Sequence, residues 1–131
     1  MQGDLLEPLW HSGLAGQVEA VVCNPPYVSE SEYEQGEPEL KFEPREAIVA
    51  GESGLEVYEK LLPDLGKLPN LRFAAVEVGY GQAEAVAEMM GEVLRRAAVA
   101  SVKDLGGVGR VVIGAAAEAW LEAVPVARRY R

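Results

Sequence analysis

The chain reads as an α/β fold, a parallel sheet that ends in an antiparallel hairpin. Three observations predict it. Two short Val-rich runs are nearly continuous in apolar residues, as in strands buried on both faces. Helix-periodic segments follow or separate them. Near the end, two further strand-like runs are joined by a turn that carries glycines.

In order along the chain, "VEAVVCN" (18–24) is the first strand. Residues 28–52 follow as a long, glutamate-rich connection. It exceeds an ordinary strand-to-helix link and has the length of a lid or binding loop. "SGLEVYEKLL" then starts a helix: Ser53 and Glu56 stand at capping-box spacing, and Leu55, Tyr58 and Leu62 recur at three and four. Pro63 is expected to end or kink it. "RFAAVEVG" (72–79) is the second strand. Over 81–97 the residues Val86, Met89, Met90, Val93 and Ala97 share one helical face, with the methionines as core packing. "AAVASVK" and "GRVVIGA" are the hairpin strands around "DLGGV". Within "AEAWLEAVPVARRYR" a last helix carries Ala117, Trp120, Leu121 and Val124 on one stripe, which would dock on the sheet or on another subunit. Arg128, Arg129 and Arg131 read as a solvated end.

Composition narrows the function classes. With 131 residues, 49% of them apolar, the chain suits one domain with a modest core. A net charge of -9 argues against a broad nucleic-acid footprint, which needs a basic stripe. The single Cys23 forms no intrachain disulfide and has no Cys or His at metal-ligand spacing, so no metal is expected and a cytosolic setting is the simplest reading. His11, the one histidine, would have to serve any Ser-His-Asp or Cys-His site, and beside Trp10 it reads as a surface or capping residue. No apolar run is long enough for a membrane span, and "MQGDLLEPLW" has no signal-peptide pattern.

"NPPY", residues 24–27, carries the chemistry. It sits at the carboxyl end of a buried strand, where open α/β sheets bind ligands. Two prolines stiffen the backbone and remove two N–H donors, so the turn offers acceptors: the Asn24 side-chain oxygen and backbone carbonyls. A rigid pair of acceptors complements a planar NH2 group, and Tyr27 supplies a flat face beside it. Such a site suits methylation of a weakly nucleophilic amide or aromatic amine, with both hydrogens held and the lone pair aimed at an electrophilic methyl.

At this point the chain resembles a family. "NPPYVSE", "FEPREAIVAGESGLEVYEKLLP", "EVGYGQAEAV" and "KDLGGVGRVVIG" follow one another as in the HemK/PrmC release-factor glutamine methyltransferases, class I S-adenosylmethionine-dependent enzymes. The likeness runs from about Gly3 to Gly114. It implies the C-terminal half of a Rossmann-like methyltransferase sheet over residues 1–116, with 117–131 as an added helix and basic tail. Also implied is that Asn24 and the Pro25 carbonyl hold the amide of the glutamine in a Gly-Gly-Gln tripeptide of a class 1 peptide-chain release factor. Pro26 would stiffen the turn and Tyr27 would pack on the amide plane. Phe42, Glu43 and Pro44 would shape the pocket from the covering loop. Asp4, Leu5 and Asn24 would lie by the S-adenosylmethionine donor. Glu77, Gly79, Gln82, Asp104, Gly107 and Arg110 also match the family, and read as turn and strand-end hydrogen bonding on the far side of the sheet.

The family's glycine-rich donor loop, its acidic ribose ligand and its small helical substrate-recognition domain are expected before Asp4; the Glu-x-Gly-x-Gly at Glu77–Gly81 precedes a different helix and carries the family's other motif, "EVGYGQ". Turnover by these residues alone is therefore not expected. The strand at 18–24 is central in the complete sheet, so one of its edges is expected to be bare here; the chain would self-associate through it, or the Trp120 helix would fold over it. An adenine amino-methyltransferase acting on nucleic acid uses the same acceptor logic, and a non-catalytic binding module is the third reading.

Overall fold

The computed structural model describes residues 1–36, 38, 42–117 and 127–130. The elements are α1 (Glu7–His11), β1 (Ala20–Cys23), β2 (Val28–Ser29), α2 (Glu30–Gln35), β3 (Val49–Gly51), α3 (Glu56–Lys67), β4 (Phe73–Glu77), α4 (Ala83–Val93), β5 (Ala98–Lys103), β6 (Gly109–Ala115) and β7 (Ala127–Tyr130). Five strands form the main sheet in the order β1-β4-β6-β5-β7. β1 and β4 are parallel, and β6 runs antiparallel to both β4 and β5. The predicted hairpin is therefore β5–β6, but its second strand lies inside the sheet, between β4 and β5, instead of extending an edge.

One face of the sheet is covered by α3 and α4. Tyr58, Leu61, Leu62 and Leu65 stand at helical spacing on α3 and are buried, as are Val86, Ala87 and Met90 on α4. They meet Ala74, Val76, Val99 and Val112 of the strands in one apolar cluster. Each such buried leucine contributes roughly 1.5–3 kcal/mol. That burial explains why α3 runs through Pro63 to Lys67 instead of ending there. Leu61, Leu62 and Leu65 hold both halves on the sheet, against a proline cost of about 3 kcal/mol. Ala97 falls beyond the end of α4 at Val93.

Three other expectations change. The connection at 28–52 is more than a loop: β2 pairs in parallel with β3, and α2 lies between them in the chain. α2 opens with a capping box, Ser29 Oγ accepting from the Glu32 N–H while the Glu32 carboxylate accepts from the Ser29 N–H. At α3, the Glu56 carboxylate accepts from the Ser53 N–H at 2.7 Å, but the Ser53 hydroxyl accepts from the Leu55 N–H, so the box is only half formed. The basic end at 127–130 is strand β7, paired antiparallel with β5. The proposed Trp120 helix lies outside the described residues.

Among the described residues, β1 has one strand neighbour, β4. Its Val22 side chain is 79% exposed. The Glu19 carbonyl accepts from the Arg72 and Phe73 N–H groups. Successive peptide groups of a strand point to opposite sides, so those of Val21 and Cys23 face β4 and those of Val22 face the open edge. No described helix is long and apolar enough to cross a membrane.

Candidate functional site

β1 ends at Cys23, and the next four residues leave the sheet as the Asn-Pro-Pro-Tyr turn. Asn24 is exposed, Pro25 is buried, and Pro26 and Tyr27 are half-buried. Immediately afterwards the Val28 N–H donates to the Ile48 carbonyl at 3.0 Å, so the turn is pinned at both ends by strand pairing.

Behind the turn lies a hydrogen-bonded brace. The Tyr27 hydroxyl donates to the Glu77 carboxylate at 3.1 Å. The Gln82 amide donates to the Tyr27 carbonyl at 2.9 Å and to the Gly54 carbonyl at 3.3 Å. Its oxygen accepts from the Gly79 N–H at 2.9 Å. The buried Tyr58 hydroxyl donates to the Glu77 carbonyl at 2.7 Å. Two glycines make the close approach possible. A Cβ on Gly54, whose φ is +82°, would stand 2.6 Å from the Tyr27 carbonyl oxygen; one on Gly79 would stand 2.8 Å from the Tyr27 ring. Only glycine combines that φ with that space.

Burial raises the Tyr27 phenol above its ordinary pKa, and its bond to the Glu77 carboxylate adds to the rise. Burial raises Tyr58 and the Cys23 thiol as well. Both tyrosines are thus held as hydrogen-bond donors, not as phenolates.

The polar groups divide cleanly. Tyr27 spends its hydroxyl and its carbonyl on the brace. Among the described residues, the Asn24 side chain and the Pro25 carbonyl have no partner. The turn therefore presents two unspent acceptors, at the carboxyl end of a parallel strand, from a backbone fixed behind. A planar NH2 group is the chemical complement of that pair.

The other expected residues stand as follows. Phe42 is 87% exposed, and Glu43 and Pro44 are exposed. Glu43 lies near enough for its charge to act on Tyr27. Asp4 is exposed, while Leu5 packs against the core with a φ of +46°, rare for a leucine. Glu77, Gly79 and Gln82 do form strand-end hydrogen bonds as expected, but those bonds hold the acceptor turn itself. Asp104 shapes the β5–β6 turn: one carboxylate oxygen accepts from the Gly106 and Val108 N–H groups and the other from Arg110 Nε, each at 2.9 Å. The Val108 N–H and Arg110 hold its carboxyl below the ordinary range. Tyr58 and Gly54 were not foreseen as parts of the site. Their contacts join residues 19 to 28 positions apart in the chain, beyond any local pattern.

No protein-family model matches the chain. Curated relatives do. A release factor glutamine methyltransferase of Bacillus anthracis is 36% identical over 112 residues, covering 84% of this chain and 39% of that protein. The one from Caulobacter vibrioides is 41% identical over 118 residues, covering 84% and 39%. That of Bacillus subtilis is 33% identical over 113 residues, covering 85% and 38%. Among solved structures, one described as the E. cuniculi Mtq2–Trm112 complex responsible for methylation of the eRF1 translation termination factor matches with a TM-score of 0.55. It is 20% identical, covering 89% of this chain and 60% of that one, and shows a shared fold. The chain spans about two fifths of the length of the curated relatives it matches. Over that stretch, the chain is similar to the release factor glutamine methyltransferases.

Proposed function

We propose that the chain carries the acceptor side of an enzyme that methylates the side-chain amide nitrogen of a glutamine in class 1 peptide-chain release factors, within a Gly-Gly-Gln tripeptide. The observation that carries this reading is the pair of unspent acceptors, Asn24 and the Pro25 carbonyl, on a turn braced through Tyr27. The relatives' names support the amide as acceptor, and the net charge of -9 weighs against nucleic acid.

In this reading Asn24 Oδ1 and the Pro25 carbonyl accept the two amide hydrogens. That fixes the plane of the amide and aims its nitrogen. Pro26 keeps the spacing of the two acceptors, and the Tyr27 ring, backed by Gly79, gives the amide a flat wall. S-adenosylmethionine supplies the electrophilic methyl when bound. Asp4, Leu5 and Asn24 are the residues that would hold it here. The φ of +46° at Leu5 is a backbone outlier of the kind found at ligand sites. They fit only part of such a donor, since the Glu-x-Gly-x-Gly run at Glu77–Gly81 has its Glu77 carboxylate and Gly79 N–H spent on the brace. Turnover is accordingly assigned to a longer protein in the cytosol. Phe42, Glu43 and Pro44 form the outer wall.

A chimaera tests this. The 131 residues replace the matching segment of the Bacillus anthracis methyltransferase, and methyl transfer to a release factor and to nucleic acid is measured. Transfer to the release-factor glutamine, lost in Asn24→Ala, is the expected result. A folded chimaera that methylates adenine, or nothing, overturns the reading.

The bare edge of β1 is further proposed to pair with a second copy of the chain. Sedimentation should show a dimer that Val22→Pro, which blocks only the open edge, converts to a monomer. A wild-type monomer at every concentration would exclude it.

A further inference from the structure

Two large apolar side chains stand on the same rim of the sheet as Asn24. Tyr80, 80% exposed, follows β4, and Leu105, fully exposed, tips the β5–β6 turn. The register places them: Cys23 lies opposite Val76, Glu77 opposite Val111, and Val111 opposite Val102. Asn24, Tyr80 and the turn at 104–108 all project beyond the carboxyl ends of β1, β4 and β5. Arg110, bonded to Asp104, is close enough for its charge to act on Tyr27. Neighbouring strands are about 4.8 Å apart, so the turn stands roughly 10–15 Å from the acceptor.

Scattered exposed leucines need no explanation. Leu105 differs because its turn is stiff. Besides the three bonds to its side chain, the Asp104 N–H donates to the Val108 carbonyl and the Gly107 N–H donates to the Asp104 carbonyl. An apolar side chain on a pre-shaped turn loses little conformational freedom on binding. Beside it, Gly81, Ala83, Glu84, Ser101, Lys103, Gly109 and Tyr130 line a hollow of about 250 Å³. Its two glycines leave room for a backbone, and Lys103 and Glu84 put one charge of each sign on its wall.

We propose that this rim docks the polypeptide flanking the acceptor glutamine, with Tyr80 and Leu105 gripping apolar side chains to one side of it. At 3.3–3.6 Å per extended residue, a reach of roughly 10–15 Å corresponds to about three to five residues from the glutamine. The inference rests on the glutamine reading of the acceptor turn. It makes the rim, and not the turn alone, the source of substrate affinity.

The test is a chemical-shift titration of the full 131-residue chain with two peptides: blocked Gly-Gly-Gln, and a longer release-factor peptide with five residues on each side of it. The longer peptide should bind about tenfold more tightly. Leu105→Ser together with Tyr80→Ser should abolish that advantage and leave the tripeptide unchanged, whereas Asn24→Ala should weaken both. Equal affinity of the two peptides, or an advantage that survives the double substitution, overturns the docking rim and leaves the acceptor reading standing. No shift with either peptide, or indifference of both to Asn24→Ala, overturns the acceptor reading and the rim with it.

Discussion

The side-chain amide of Gln82 donates to the carbonyl of Tyr27 at 2.9 Å, across 55 positions of sequence. That bond ties the start of α4 to the acceptor turn after β1, and so links the two parallel strands of the sheet at their carboxyl ends. Proline and asparagine make the turn a set of acceptors, and Gln82 supplies a donor it lacks.

Removing that donor should loosen the turn. Gln82→Ala leaves the Tyr27 and Gly54 carbonyls and the Gly79 N–H without their Gln82 partner, at a cost of about 1–3 kcal/mol. Gln82→Glu keeps an acceptor for Gly79 but sets an oxygen against the two carbonyls, so it should be no better. Urea unfolding of the three proteins checks this; an unchanged midpoint in both variants would show that the brace carries no stability.

Gly54→Ala should cost more than an ordinary loop substitution. The new methyl meets a backbone oxygen at 2.6 Å, and the φ of +82° is strained for alanine. A loss of roughly 1–3 kcal/mol is expected. Gly13→Ala, at a φ of +72° with open space around it, isolates the backbone part. Thermal melts should place Gly54→Ala below it.

In an alkaline titration Tyr27 and Tyr58 should ionise above the ordinary phenol value. Both folded pKa values are raised. Their contribution to stability is therefore complete below the ordinary phenol value of about 10 and is lost as pH rises through the folded values. In ultraviolet difference spectra one late-ionising group should disappear in Tyr27→Phe and another in Tyr58→Phe. Glu77→Gln should move Tyr27 back towards the ordinary value by removing the carboxylate beside it.

Asp104 gives the opposite sign. Its folded pKa is lowered, so its contribution is present above the ordinary aspartate value of about 3.9 and is lost as pH falls through the folded value. Asp104→Ala should melt below the wild type at pH 7, and the two melting curves should converge in strong acid. A difference independent of pH would mean that the turn does not depend on the charge.

Much of this could be read from local pattern. The strand ends, the hairpin around "DLGGV" and the acceptor turn rest on residues whose neighbours in sequence are their neighbours in space. β2 was missed because two residues make no periodic signal, although Ser29 and Glu32 stand at capping-box spacing and announce α2. Pro63 misled because a proline's cost is local while the burial that offsets it is tertiary. The strand at 127–130 is not announced in the sequence because an edge strand shows neither an apolar run nor a turn. For Gln82 the sequence held the residue but not its partner, since only the folded sheet brings Tyr27 and Gly54 to it.

The position of β6 between β4 and β5 also bears on how the chain can be made. Synthesis delivers β1, β4, α4 and β5 before the strand that separates β4 from β5 exists. A nascent chain ending before Gly109 therefore holds its two longest buried strands with open facing edges, which invite pairing with other chains. Once made, β6 joins β4 and β5, by five register pairs on one side and six on the other. The hairpin turn that carries Leu105 is thus also the link that leads β6 back between them, and a slow β5–β6 turn would prolong the time the chain spends with its middle missing.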